Sequence, residues 1–259
     1  MRIAILSPSR DQGITTVSII LGLTFAQTQG MRVCLTICGM DNSSLEAYLG
    51  ISKYDDKTKS ITQIIRLLES NSISGDDIVD YCTKIEERFE VLNTSAPNVD
   101  RDESAKLLKF VIPNLSHDVV ITDVQTELWE ETTQETIKTA DVVIIVLSQN
   151  IHTVNKLHAW RESEFYHSIR SKPTVHIINK YDGYVSAFRD FTKQTGLKHI
   201  QCCKLSYSPF IKRTANLGKL YTILPYILER DARVCELNLD LKECMQVMMA
   251  HMGERCSWR

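Results

Sequence analysis

Short apolar runs alternate with amphipathic stretches along most of the chain. Arg2–Leu6 is an apolar run that stops at the polar turn Ser7-Pro8-Ser9-Arg10. From Gly13 to Gln29 the apolar positions Val17, Ile20, Leu21 and Phe25 recur at helical spacing, and Gly30 closes the segment. Arg32–Cys38 predicts a second strand. Ser43–Leu49 predicts a short helix capped by Ser43 or Ser44. The charged stretch Tyr54–Lys59 reads as a loop, and Ile61–Leu68 as an amphipathic helix with Ile61, Ile64, Ile65 and Leu68 on one face. Gly75–Ile85 predicts another helix, Phe89–Leu92 a strand, and Asp102–Leu115 a helix.

Three stronger strand signals follow: HDVVITD over His117–Asp123, DVVIIVL over Asp141–Leu147, and TVHIIN over Thr174–Asn179. Unbroken β-branched runs suit parallel strands buried on both faces. Helices are expected between them at Glu130–Lys138 and Thr153–Ser168, then at Val185–Gln194, with a last strand at His199–Ser206. Residues 217–252 read as largely helical, broken near Pro225 and Asn238. This alternation predicts an α/β fold with a doubly wound, mostly parallel sheet and right-handed crossovers. With no repeat and no low-complexity linker, 1–259 reads as a single domain.

Composition adds little to the fold but narrows function. The chain has 259 residues, 43% hydrophobic and 24% charged, so disordered and fibrous classes are out. Thirty Lys plus Arg against 32 Asp plus Glu give a net charge of −2, so no global field draws nucleic acid. No apolar run reaches the roughly 18–20 residues of a membrane span, and the first apolar run is too short for a secretory signal. A cytoplasmic protein is expected, recruited to a membrane-bound or polar assembly. The 8 cysteines include no CxxC pair and the 7 histidines no HExxH. Local spacing therefore predicts no zinc motif, and the thiols read as reduced and mostly buried.

The chemistry concentrates after the first strand. Ligands of open α/β sheets gather at the carboxyl ends of strands, and a loop leading into a helix N-terminus attracts anions. Here that loop reads Ser9-Arg10-Asp11-Gln12-Gly13-Ile14-Thr15-Thr16. With QGMRVCLTI, HDVVITD, ADVVIIVLS and HIINKYD, the chain resembles the ParA/MinD group of P-loop ATPases, whose deviant Walker A motif is KGGxGK(S/T)T. The resemblance implies the P-loop NTPase architecture and nucleotide-dependent dimers on DNA, membrane or a protein partner. It places Gly13, Thr15 and Thr16 in the phosphate loop, Asp123 at the end of the switch strand and Asn179 at a base-contacting position. ATP or ADP with Mg²⁺ is the implied cofactor, and Thr15 and Asp123 are the implied metal-shell residues.

The departures carry more weight. The two lysines of the motif fall on Ser9 and Ile14, and its glycine pair on Arg10 and Asp11. A phosphate-bound lysine makes charge-assisted hydrogen bonds of about 1.5–3 kcal/mol each. Isoleucine makes none, and Asp11 adds negative charge. Arg10 sits next to the lost signature lysine. Aspartates that usually end the second strand are replaced by Ile37-Cys38-Gly39, with Asp41 further on. The expected function is a catalytically impaired positioning, localisation or assembly factor acting through protein contact and homodimerisation, with the CpaE/TadZ group as nearest analogy. The alternatives are a weak Mg²⁺-dependent ATPase binding nucleotide through Arg10, Thr15 and Asp123, and a DNA-associated protein using Lys204, Lys212 and Arg213.

Blander readings stand beside these. Thr15 and Thr16 also suit an ordinary first helical turn, Asp123 a strand end, and Asn179 the satisfaction of a strand-end backbone group. In the C-terminal segment Leu237, Leu241, Cys244, Met245, Met248, Met249 and Met252 recur at near-helical spacing. Packing, a partner and a membrane are the three candidates for that face. Glu236, Asp240, Glu243 and Glu254 argue against an anionic membrane.

Overall fold

The apolar run Arg2–Leu6 is strand β1, placed at the centre of an eight-stranded sheet. A computed structural model describes residues 1–38, 44–51, 61–74, 76–92, 109–124 and 131–251. In chain order the further strands are β2 (Val33–Cys38), β3 (Thr83–Glu86), β4 (Phe89–Leu92), β5 (Val119–Val124), β6 (Val142–Leu147), β7 (Thr174–Tyr181) and β8 (Cys202–Ser206). Their spatial order is β3-β4-β2-β5-β1-β6-β7-β8. Among the described strands only β3 runs antiparallel, pairing with β4. The order reverses at β1, between β5 and β6, which places the crevice of a doubly wound sheet above its carboxyl end.

The helices are α1 (Ile14–Thr28), α2 (Ser44–Leu49), α3 (Ile61–Glu69), α4 (109–114), α5 (Glu131–Thr139), α6 (Ile151–Arg161), α7 (Glu164–Arg170), α8 (Phe188–Thr195), α9 (Pro209–Asn216), α10 (Ile223–Leu228) and α11 (Cys235–His251). They cover both faces of the sheet. Ile3 and Ile5 join one core with α1, α10 and α11, whereas Ala4 and Leu6 join the other with α3, α4, α5, α6 and α7. This is the two-residue period of a strand buried on both sides. Strands β5 and β6 are buried at all six positions, as their β-branched runs predict.

Several expectations need correction. Gly75–Ile85 is not a helix: Asp76–Tyr81 is a 3-10 turn and Thr83–Glu86 is the edge strand β3. Ile78, Val79 and Cys82 imitate helical spacing, while Lys84 and Glu86 give the strand the charged character of an edge. Thr153–Ser168 is two helices, because the Ser163 hydroxyl accepts from the Tyr166 amide and starts α7 afresh. Asn238 does not break the C-terminal segment. It lies inside α11, and its side-chain amide donates to the Ile227 carbonyl at 3.1 Å. Pro225 sits in the first turn of α10, where its missing N–H does no harm. The expected Tyr54–Lys59 loop, the Ser43 cap, Gly39, Asp41, the start of the Asp102–Leu115 helix, Met252 and Glu254 lie outside the described residues.

The methionine-rich face of α11 is core. Leu237, Leu241, Cys244, Met245, Met248 and Met249 are all buried against the sheet. The Asp240 carboxylate fixes this docking by accepting from the Ser206 amide at 2.8 Å. Among the described residues, no helix is long and apolar enough to cross a membrane.

Candidate functional site

The loop between β1 and α1 turns through two residues with positive φ. Gly13 precedes α1 with φ +83°, and Asp11 holds φ +62°. Both are left-handed conformations, which glycine adopts freely and other residues adopt at a cost. Asp11 stands where the motif has its second glycine, so the backbone keeps a shape that the side chain no longer favours. Gly13 is required for a second reason: a Cβ there would lie 2.5 Å from Asn179 Nδ2.

Ile14 occupies the lysine slot and is 9% exposed, packed in the α1 core. Its side chain contributes apolar burial worth about 1.5–3 kcal/mol and offers nothing to an anion. No side chain caps α1, and its first turn carries no acidic residue, so the helix N-terminus keeps its positive end.

Side chains from β7 and α6 hold the loop. Asn179 Nδ2 donates to the Gln12 carbonyl at 2.7 Å, and Lys180 Nζ donates to the Asp11 carbonyl at 3.0 Å. Asn179 thus grips loop backbone. Lys180 reaches the loop because β7 is irregular there: its pairing with β8 shifts between Asn179 and Tyr181, and Lys180 has φ +52°. Within the loop, Gln12 Nε2 donates to the Arg10 carbonyl at 2.9 Å. The Thr153 hydroxyl donates to Gln12 Oε1 at 3.1 Å and lies 3.3 Å from the Ser9 hydroxyl. Ser9 therefore serves a neutral hydroxyl network in place of a lysine's charge. Arg10 is exposed, and Thr16 is half-buried in the first turn of α1.

Thr15 and Asp123 do meet. Thr15 Oγ1 donates to Asp123 Oδ2 at 2.6 Å. Asp123 is 1% exposed, and burial pushes its carboxyl up to about 6, partly opposed by the Thr15 hydrogen bond. Its second oxygen, Oδ1, is buried and has no hydrogen-bond partner among the described residues. Two hard oxygens with one orphaned fit a Mg²⁺ ion that also takes phosphate and water oxygens. Ser9 and Ile14 do not fit the polyphosphate that would bring that ion.

The basic residues differ in their engagement. Lys204 Nζ is 3.6 Å from Asp240 Oδ1 and lies over the Tyr181 ring at 4.9 Å, so it is engaged within the fold. Lys212 and Arg213 are exposed on α9. Gln12, Thr153 and Lys180 were not singled out from the sequence as loop-holding residues. Lys180 directly follows Asn179, and that adjacency was the available signal. Thr153 had none, because its role depends on how α6 packs.

No family model matches the chain, and no curated protein matches it. Solved structures do. MinD of Aquifex aeolicus in a MinC:MinD cell division protein complex superposes with TM-score 0.69 at 17% identity, covering 100% of this chain and 98% of that one. The septum site-determining protein MinD of Pyrococcus horikoshii, complexed with Mg-ADP, gives 0.68 at 14% identity over 96% and 98%. A ParA family ATPase from Chlorobium tepidum gives 0.68 at 11% identity over 93% and 97%. The chain therefore has the fold of the MinD and ParA-family P-loop ATPases.

Proposed function

We propose that this chain is a positioning or assembly factor built on the MinD/ParA fold, with an impaired nucleotide site, acting by protein contact as a homodimer. The observation that carries this reading is the loop after β1. The lysine slot holds Ile14, packed in the core, and the backbone carbonyls of Asp11 and Gln12 are held by Lys180 and Asn179. Phosphoryl transfer rests on positioning and charge stabilisation. A loop whose polar groups serve one another retains the shape of that machinery and loses most of its charge.

The surface this reading assigns to dimer contact is at the same end of the sheet. Ile151, Tyr184, Val185 and Tyr207 are exposed, and they follow the carboxyl ends of β6, β7 and β8. Exposed apolar side chains gathered near one site mark an interaction surface, and a second copy of the chain is the proposed partner. Light scattering with and without MgATP is expected to show a dimer in both conditions, and Tyr184→Asp is expected to dissociate it. A monomer at high concentration in both conditions would refute the dimer.

A second reading has one specific support. The Thr15–Asp123 pair and the Lys180 ammonium at the loop suit weak Mg²⁺-dependent ATP turnover. That reading predicts turnover abolished by Thr15→Ala; turnover at background in the unmodified chain dismisses it.

A further inference from the structure

Two cysteines 48 residues apart come together near the amino ends of β2 and β5, away from the loop after β1. Cys34 lies on β2, Cys82 directly precedes β3, and His117 precedes β5. The two Sγ atoms are 3.9 Å apart, and both residues are free cysteines. One ring nitrogen of His117 lies with both sulfurs inside a 4.8 Å cluster, and all three residues are buried. Two sulfurs bound to one tetrahedral Zn²⁺ at about 2.3 Å each stand about 3.8 Å apart. The cysteines already hold nearly that spacing.

The histidine points the same way. His117 Nε2 is 2.7 Å from Glu90 Oε2, and Glu90 is the register partner of Cys34 on the adjacent strand. A carboxylate there holds the proton on Nε2 and leaves the Nδ1 lone pair available. Among the described residues, His117 Nδ1 is buried without a hydrogen-bond partner. Packing alone accounts for buried thiols, which behave as small hydrophobes. It does not account for a buried imidazole with one nitrogen oriented by a carboxylate and the other unmatched. That arrangement is the usual outer support of a metal-bound histidine.

We propose that Cys34, Cys82 and His117 form a zinc site, with Glu90 orienting the imidazole. On binding, both thiols lose their protons to solvent and two Zn–S bonds form, so the thiolates neutralise the ion within the core. Three protein ligands leave one position for water. Glu90 is a quarter exposed on its side chain, so it links the buried imidazole to solvent. The bound ion would clamp the β3–β4 edge hairpin to β2 and to the start of β5.

The test uses the full chain, reduced and stripped with a chelator, then titrated with Co²⁺ and with Zn²⁺ against a chromophoric competitor. The expected result is one ion per chain and a cobalt spectrum with thiolate charge-transfer and tetrahedral bands. Cys34→Ser and Cys82→Ser abolish the charge-transfer intensity or cut it sharply. Glu90→Gln weakens binding by about 10–100-fold, and Cys235→Ser changes nothing. Should a cysteine variant fail to fold, the spectrum of the unmodified chain decides alone. Three outcomes overturn the site: no stoichiometric uptake, a cobalt spectrum without thiolate bands, or an intact mass short of two hydrogens mapped to a Cys34–Cys82 disulfide.

Discussion

Replacing Asp123 by Asn tests the electrostatics of the site without touching its shape. The carboxyl is fully enclosed, and its value moves from the ordinary 3.8 to about 6. That displacement corresponds to about 3 kcal/mol of folding free energy lost when the group ionises. Between those two values the folded chain holds the proton more tightly than the unfolded chain. Stability from this group is therefore complete below about pH 4 and lost as pH rises through about 6. Asparagine keeps an acceptor for the Thr15 hydroxyl, 2.6 Å away in the native pair, and never ionises. The variant and the unmodified chain should match in stability near pH 4. Above pH 6.5 the variant should be more stable by about 1–3 kcal/mol, which raises the midpoint by roughly 2–10 °C. Thermal unfolding followed by circular dichroism at half-unit pH steps, in chelator, measures this. A difference that does not change with pH, or an unmodified chain that is the more stable at pH 7.5, would refute the reasoning.

Gly13→Ala should cost about 1–3 kcal/mol in urea unfolding, because φ +83° strains any Cβ and Asn179 Nδ2 lies 2.5 Å from it. Unchanged stability would show that the loop does not hold this backbone. Met248→Ala should cost about 2–5 kcal/mol as a core cavity, since the side chain is fully buried. A loss near zero would return the methionine face to a partner.

How much of this was legible in the sequence depended on how local the cause was. The buried strands β5 and β6 could be read directly, because a β-branched run buried on both faces is a property of consecutive residues. The Thr15–Asp123 pair was legible through the family pattern, which places loop and switch strand side by side. Strand β3 was missed because a charged edge strand has almost no apolar signature, and its pairing with β4 is what makes it a strand. The clamp by Asn179 and Lys180 was hidden by the irregularity in β7, which turns two adjacent side chains onto one loop. The thiols of Cys34 and Cys82 read only as reduced and buried, and His117 only as the start of a strand; the sheet order makes the three neighbours. The break expected at Asn238 failed for the same kind of reason. Its polar side chain finds a buried carbonyl across α10, which helical propensity does not register.

We propose that a MinD/ParA fold here carries a loop that holds nucleotide poorly. Its most direct test is thermal unfolding of the full chain with and without millimolar MgATP and MgADP. A ligand at 100 times its Kd stabilises by about 2.7 kcal/mol, which in a domain of this size moves the midpoint by roughly 5–10 °C. The account predicts a shift of less than about 1 °C with either nucleotide, consistent with the loss of charge at Ser9 and Ile14. A shift of about 5 °C or more that depends on Mg²⁺ and disappears in Thr15→Ala would contradict it, and would establish the site as a working nucleotide switch.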